Sequence, residues 1–220
     1  MKIDKKEVLR YLGYKNQEID NSLIDLIEEC CKEVINICKE SFVYEIFDIE
    51  RKDNEIFLLG STLILKDNDI INHLASSKKC LVMAATLGVE VDRRIAYYSR
   101  IDITKGLIMD ACATTAIENL CDELQTHIME KSLEDNLHIT NRYSPGYGNF
   151  SIDNQSNILN VLGAYKKIGL SVTESNIMLP RKSVTAFIGL GENVNVKPND
   201  KCMNCKNTDC AFRKDGGYCV

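Results

Sequence analysis

Residues 141–155 read N-R-Y-S-P-G-Y-G-N-F-S-I-D-N-Q and gather side chains suited to holding a small polar ligand. Gly146 and Gly148 bracket Tyr147, and Pro145 fixes one φ angle, so neither a helix nor a central strand runs through the segment. Glycines let a backbone approach a ligand closely. Arg142 offers a planar fork to a carboxylate or phosphate, and Tyr143 and Tyr147 offer flat faces with polar tips. Two readings are open: a connector with Arg142 solvated and the tyrosines on the surface, or one wall of a binding site.

Two further groups carry chemistry. Cys202, Cys205, Cys210 and Cys219 follow a C-x2-C-x4-C-x8-C spacing. Four thiolates so close together suit tetrahedral zinc or an iron-sulfur cluster, and free or redox-active thiols are the alternative. Lys206, Arg213 and Lys214 would offset their charge. The third group is Asp110, Thr114 and Glu118, at four-residue spacing with Ala111 beside them. Carboxylates on a helix usually mark a solvated flank. No Lys or Arg occurs between Ile108 and Ile117, which suits a helix lining a cleft.

These groups need elements to position them. Residues 5–14 predict a short helix ending near Gly13. Leu23, Leu26, Ile27, Cys30, Cys31, Val34, Ile35 and Cys38 recur at three- and four-residue steps, an amphipathic helix whose cysteines serve as small hydrophobes. Residues 42–49 predict a strand, and 56–65 a hairpin turning at Gly60 and Ser61. Asp67 caps a short helix on which His73 reads as a surface residue. The apolar run 79–87 predicts a buried strand, a helix follows through Val91, Ile95 and Tyr98, and a long helix spans 104–134. After the glycine-rich segment, Asp153 is the expected cap of a helix ending at Gly163, and a polar turn leads on. Residues 170–175, 177–179 and 183–190 read as strands at the end of the sheet. The whole is expected to be α+β, a mostly antiparallel sheet with packed helices. Residues 1–191 form the body and 192–220 a linker with a Cys-rich tail.

Composition narrows the function. With 220 residues, 45% of them hydrophobic, the chain can bury a full core. A net charge of -5 without a basic block argues against nucleic-acid binding. Residues 1–10 lack the apolar core of a signal peptide, and no stretch reaches the roughly 18 apolar residues of a membrane span, so the expected location is the cytoplasm. There a framework of disulfides among the ten cysteines is not expected. Phosphate-binding G-x-x-x-x-G-K-[ST] and G-x-G-x-x-G motifs are missing. His73, His127 and His138 sit beside no obvious nucleophile, which leaves a hydrolase unsupported.

Two motifs in one order carry a resemblance. R-Y-S-P-G-Y-G at 142–148 precedes I-G-L-S-V-T-E-S-N-I-M-L-P-R-K-S-V-T-A at 168–186. Together they resemble the activation, or reactivation, domain of cobalamin-dependent methionine synthase, in which an R-x-x-x-G-Y loop precedes G-x-x-L-T-E-S-x-x-M-x-P-x-x-S-V. The overlap spans residues 107–189, and the N-terminal third resembles short free-standing versions from anaerobic bacteria.

The resemblance implies an S-adenosylmethionine site. Arg142 would hold the methionine carboxylate, Gly146 and Tyr147 match the motif glycine and tyrosine, and Ser144 would contribute backbone groups. Glu118 aligns with a ligand-contacting glutamate on the preceding helix. Where the family has an aromatic pair with a second ligand-contacting tyrosine, this chain reads Ala186, Phe187 and Ile188. It also lacks the homocysteine, folate and cobalamin modules, so the implied role is repair in trans. Methyl transfer from S-adenosylmethionine would rescue an oxidised cobalamin held by a partner methionine synthase or corrinoid protein. Flavodoxin, ferredoxin or a similar donor would supply the electron, and a cluster on the tail could relay it. Two other roles fit the same residues: a non-catalytic adaptor for a corrinoid methyltransferase with a structural zinc tail, and an unrelated S-adenosylmethionine-binding regulator.

Overall fold

The computed structural model describes residues 1–14 and 17–194, with the backbone of 213–214 and 218–219. These residues belong to two compact units. One contains Met1–Cys38 and Glu90–Asn119, the other Lys39–Val89 and Leu120–Val196.

The first unit holds α1 (Lys5–Tyr11) and α2 (Asn21–Ile37). Asp4 caps α1 and Asp20 caps α2, each carboxylate accepting a backbone N–H two residues on. The expected stripe of α2 buries Ile27, Cys30, Cys31 and Val34, whereas Ile35 stays exposed. Burial pushes the Cys30 thiol up to about 12, so it remains protonated and packs as a small hydrophobe.

The second unit is organised by a six-stranded sheet. Its first strands are β1 (Ser41–Lys52), β2 (Glu55–Leu58) and β3 (Ile64–Leu65), followed by α3 (Asn68–His73) and β4 (Lys79–Thr86). Next in the chain come α4 (Val89–Ile101), in the first unit from its second residue on, and the 32-residue α5 (Ile103–Glu134), whose residues up to Asn119 belong to the first unit and the rest to the second; Asp102 caps α5 through the Lys105 N–H. The second unit continues with β5 (His138–Ile139), a 3-10 turn (Ile152–Asn154), α6 (Gln155–Leu162) and α7 (Ala164–Ile168). Then come β6 (Ser171–Val172), β7 (Met178–Leu179) and β8 (Ser183–Gly191). Further on, β9 (Arg213–Lys214) pairs antiparallel with β10 (Tyr218–Cys219).

Strand order is β3-β2-β1-β4-β8-β5, every pairing antiparallel. The continuous apolar run of β4 explains its central place. Cys80, Val82 and Ala84 enter a core with Phe150, Ile158, Leu162, Leu170 and Phe187, while Leu81, Met83 and Ala85 are buried on the opposite face.

Residues 163–191 correct three expectations. Residues 183–190 were expected at the end of the sheet, but β8 lies inside it, between β4 and β5, because nearly every one of its residues is buried and both its edges are paired. Residues 170–175 and 177–179 contribute only a two-stranded ribbon, β6 with β7. The Thr173 N–H donates to Ile177 O at 2.9 Å and Asn176 sits at φ 58, so the chain turns where a longer strand was expected. The polar turn at 163–169 is in fact the short helix α7, bounded by Gly163 and Gly169 at φ 62 and 69.

Phe187 is fully buried and meets Phe150 edge-to-face at 5.4 Å. Phe187→Ala should cost about 3–5 kcal/mol in urea unfolding. A loss below about 1 kcal/mol would show that this ring is not the centre of the core.

Candidate functional site

The segment after β5 cannot pair as a strand for long, because Pro145 lacks a donor and Gly146 and Gly148 adopt φ 95 and 56. It is instead tied down on three sides. Towards the sheet, Tyr143 and Phe187 exchange backbone hydrogen bonds of 3.0 and 2.9 Å; the Thr140 N–H donates to Gly189 O at 2.9 Å, and the Thr140 hydroxyl accepts the Gly189 N–H at 2.8 Å. Within the loop, the Gly146 N–H reaches Phe150 O at 2.7 Å.

The third tie comes from α3. Asp69 and Asn149 form a reciprocal clasp: the Asn149 N–H donates to Asp69 Oδ2 at 2.8 Å, and the Asp69 N–H donates to Asn149 Oδ1 at 3.1 Å. His73 was expected on the surface. It is instead half-buried, with Nε2 2.9 Å from both Asn141 O and Thr140 Oγ1, and its ring stacks on Tyr143 at 5.0 Å. Tyr143 also stacks on Phe150 and donates its hydroxyl to Tyr147 O at 3.2 Å. Burial, and then the nearby Asp69 carboxylate, hold its phenol above the usual range, so it stays a donor. Asp69 was not singled out from the sequence, and His73 was read there as a surface residue. They sit 80 and 68 residues from their partners in the loop.

The second motif supports the first from below. Asn176 donates to Asp153 Oδ1 at 2.9 Å, and the Thr185 hydroxyl donates to buried Gln155 Oε1 at 2.6 Å. Asp153 is not the cap that was expected. Ser151 takes that role for the 3-10 turn, its hydroxyl accepting the Asp153 N–H at 3.1 Å, because a side chain must precede the first turn to reach its free donors.

Of the predicted residues, Arg142, Ser144, Gly146 and Tyr147 share this loop. The Arg142 side chain is 9% exposed; its Nη2 pairs with Asp122 Oδ1 at 2.8 Å and its Nη1 donates to Gln125 Oε1 at 3.2 Å. A guanidinium this deeply placed requires such partners. Tyr147, between the two glycines, is 61% exposed. Glu118 lies on α5 within the first unit, half-buried like Asp110 and Thr114, so that face is not the solvated flank the spacing also allowed. Burial and, second, the Glu118 charge push the Tyr11 phenol up to about 12. Ala186, Phe187 and Ile188 are all fully buried, so no aromatic ring of β8 replaces the family's second tyrosine at a surface.

Cys202, Cys205 and Cys210 lie outside the described residues, and Cys219 is described only as backbone of β10. Among the described residues, no group of three or more His, Cys, Asp or Glu side chains could hold a metal ion. Nor is any described helix long and apolar enough to cross a membrane.

A family model described as the activation domain of vitamin B12 dependent methionine synthase matches residues 61–215. The chain belongs to that family. Both motifs and the whole of α5 fall within the match. Among solved structures, the activation-domain fold of this chain is similar to a crystal structure of the MetH reactivation domain bound to AdoHcy. The similarity has a TM-score of 0.67 at 14% identity, covering 89% of this chain and 76% of that one. No curated protein matches the sequence.

The clasp predicts a coupled pair of variants. A Cβ on Gly148 would lie 2.1 Å from Asp69 Oδ2, at a φ that L residues rarely adopt. Gly148→Ala should therefore lose at least about 1–2 kcal/mol of stability. Part of that loss should disappear in an Asp69→Ala background, read as non-additivity in urea unfolding. Additive losses would refute the proposed contact.

Proposed function

We propose that this activation-domain protein binds S-adenosylmethionine and acts in trans on the cobalamin of a partner methionine synthase or corrinoid methyltransferase. The reading is supported above all by the placement of Arg142: a nearly buried guanidinium on a glycine-rich loop beside an exposed tyrosine. That donor set fits an amino-acid ligand. A guanidinium grips a carboxylate in a bidentate, charge-assisted pair, glycine backbone admits a close approach, and a tyrosine face covers an apolar or ring surface.

The residue roles follow from this. Arg142 holds the methionine carboxylate, Ser144 and Gly146 offer backbone groups, and Tyr147 closes over the ligand. Glu118, added by the family resemblance, accepts from the ligand's ammonium or ribose. When bound, S-adenosylmethionine supplies a methyl group on a sulfonium. The protein needs no acid or base for this role; its contribution is orientation of that methyl and exclusion of water. Flavodoxin or ferredoxin is the proposed class of electron donor, and Cys202, Cys205, Cys210 and Cys219 are the proposed ligands of zinc or an iron-sulfur cluster.

Calorimetry with S-adenosylmethionine tests the site. Arg142→Ala should weaken binding by about 10- to 100-fold, the worth of a charge-assisted hydrogen bond of roughly 1.5–3 kcal/mol. Unchanged affinity would remove Arg142 from the site. A cobalamin-methylation assay with a partner synthase and an electron donor tests the role. It should show faster methylation with this protein present; no acceleration, with S-adenosylmethionine still bound, would reject repair in trans in favour of an S-adenosylmethionine-binding regulator.

A further inference from the structure

The partners of Arg142 are unequal. Its side chain is 9% exposed, whereas that of Asp122 is 62% exposed, and the two meet at 2.8 Å through Nη2 and Oδ1. Gln125, one turn further along α5, takes the Nη1 donor through a neutral amide at 3.2 Å. A charge as enclosed as Arg142 is costly to leave without an anion. A carboxylate as exposed as Asp122 regains water at little cost once released. The pair therefore favours exchange: the cation stays in place and the anion on it can be replaced.

We infer that Asp122 is an internal counter-anion that competes with the ligand's carboxylate for Arg142, and so sets how strongly that carboxylate is bound. The inference rests on the proposed S-adenosylmethionine reading. An incoming α-carboxylate brings two oxygens to the planar fork and displaces Asp122 into solvent, with Gln125 still holding the guanidinium. No proton or electron moves in the exchange. Its consequence is specificity: the advantage of a ligand that has a carboxylate over one that lacks it is reduced by the strength of the Asp122–Arg142 pair. Asp122 is thus a positioning and specificity-determining residue.

The test compares S-adenosylmethionine with decarboxylated S-adenosylmethionine, which keeps the sulfonium, ammonium and adenosine. Both are titrated by calorimetry into the full chain and into Asp122→Asn, with circular dichroism confirming that both proteins are folded. Removing the competitor should tighten S-adenosylmethionine about fivefold and leave the decarboxylated ligand unchanged, so the ratio of affinities rises about fivefold. A long-range field effect would move both ligands alike, and equal shifts or no shift would overturn the inference while leaving the ligand reading intact. Weaker binding of S-adenosylmethionine to Asp122→Asn would also overturn it, because Asp122 would then be a ligand contact. Binding of S-adenosylmethionine to neither protein would overturn the ligand reading and the inference with it.

Discussion

Two backbone hydrogen bonds between Tyr143 and Phe187 join the glycine-rich loop to the centre of the sheet, and much of the second unit is arranged to keep them. A loop with Pro145 and two glycines at positive φ has little internal ladder to hold it, so its order must be supplied from outside. β8 supplies the backbone partner. It can do so because it is itself fixed along its length to β4, in a register running from Ser183 against Thr86 to Leu190 against Lys79. The chain of ring contacts from His73 through Tyr143 and Phe150 to Phe187, stacked except for the last edge-to-face pair, continues that tie from the backbone into the core.

The two sequence motifs therefore belong to one mechanical object. The first is the loop, and the second contributes the β6–β7 ribbon and β8, which brace the turn and helix that follow the loop. This accounts for the absence of an exposed aromatic on β8. Every residue from Thr185 to Gly191 is buried, so this strand is occupied with packing rather than with presenting a ring. In this chain the exposed aromatic ring of the loop that carries Arg142 is Tyr147.

Electrostatics adds a second constraint. Arg142 is placed where a cation needs an anion, and α5 provides one from its exposed side. The same helix is enclosed along its middle, where residues 108–121 are all buried or half-buried. Its carboxylates thus sit in two environments. Glu118 is held among neighbours that include Tyr11, while the Asp122 side chain is largely exposed where it pairs with Arg142.

The amino-acid sequence by itself determined what depends on local pattern. The 3.6-residue periodicity of α2, the unbroken apolar run of β4, the length of α5 and the punctuation around Gly146 were all legible, because each is set by residues within a few turns of one another. The paired motifs likewise identified the family, since order and spacing along the chain survive where overall identity is low. What the tertiary structure alone decided are contacts between distant segments: β8 in the interior of the sheet, Asp69 and His73 as clamps of the loop, and Asp122 as an anionic partner of Arg142. None of these leaves a periodic trace, because a hydrogen bond or ion pair across dozens of residues depends on how the sheet is ordered and not on the spacing of the residues that form it.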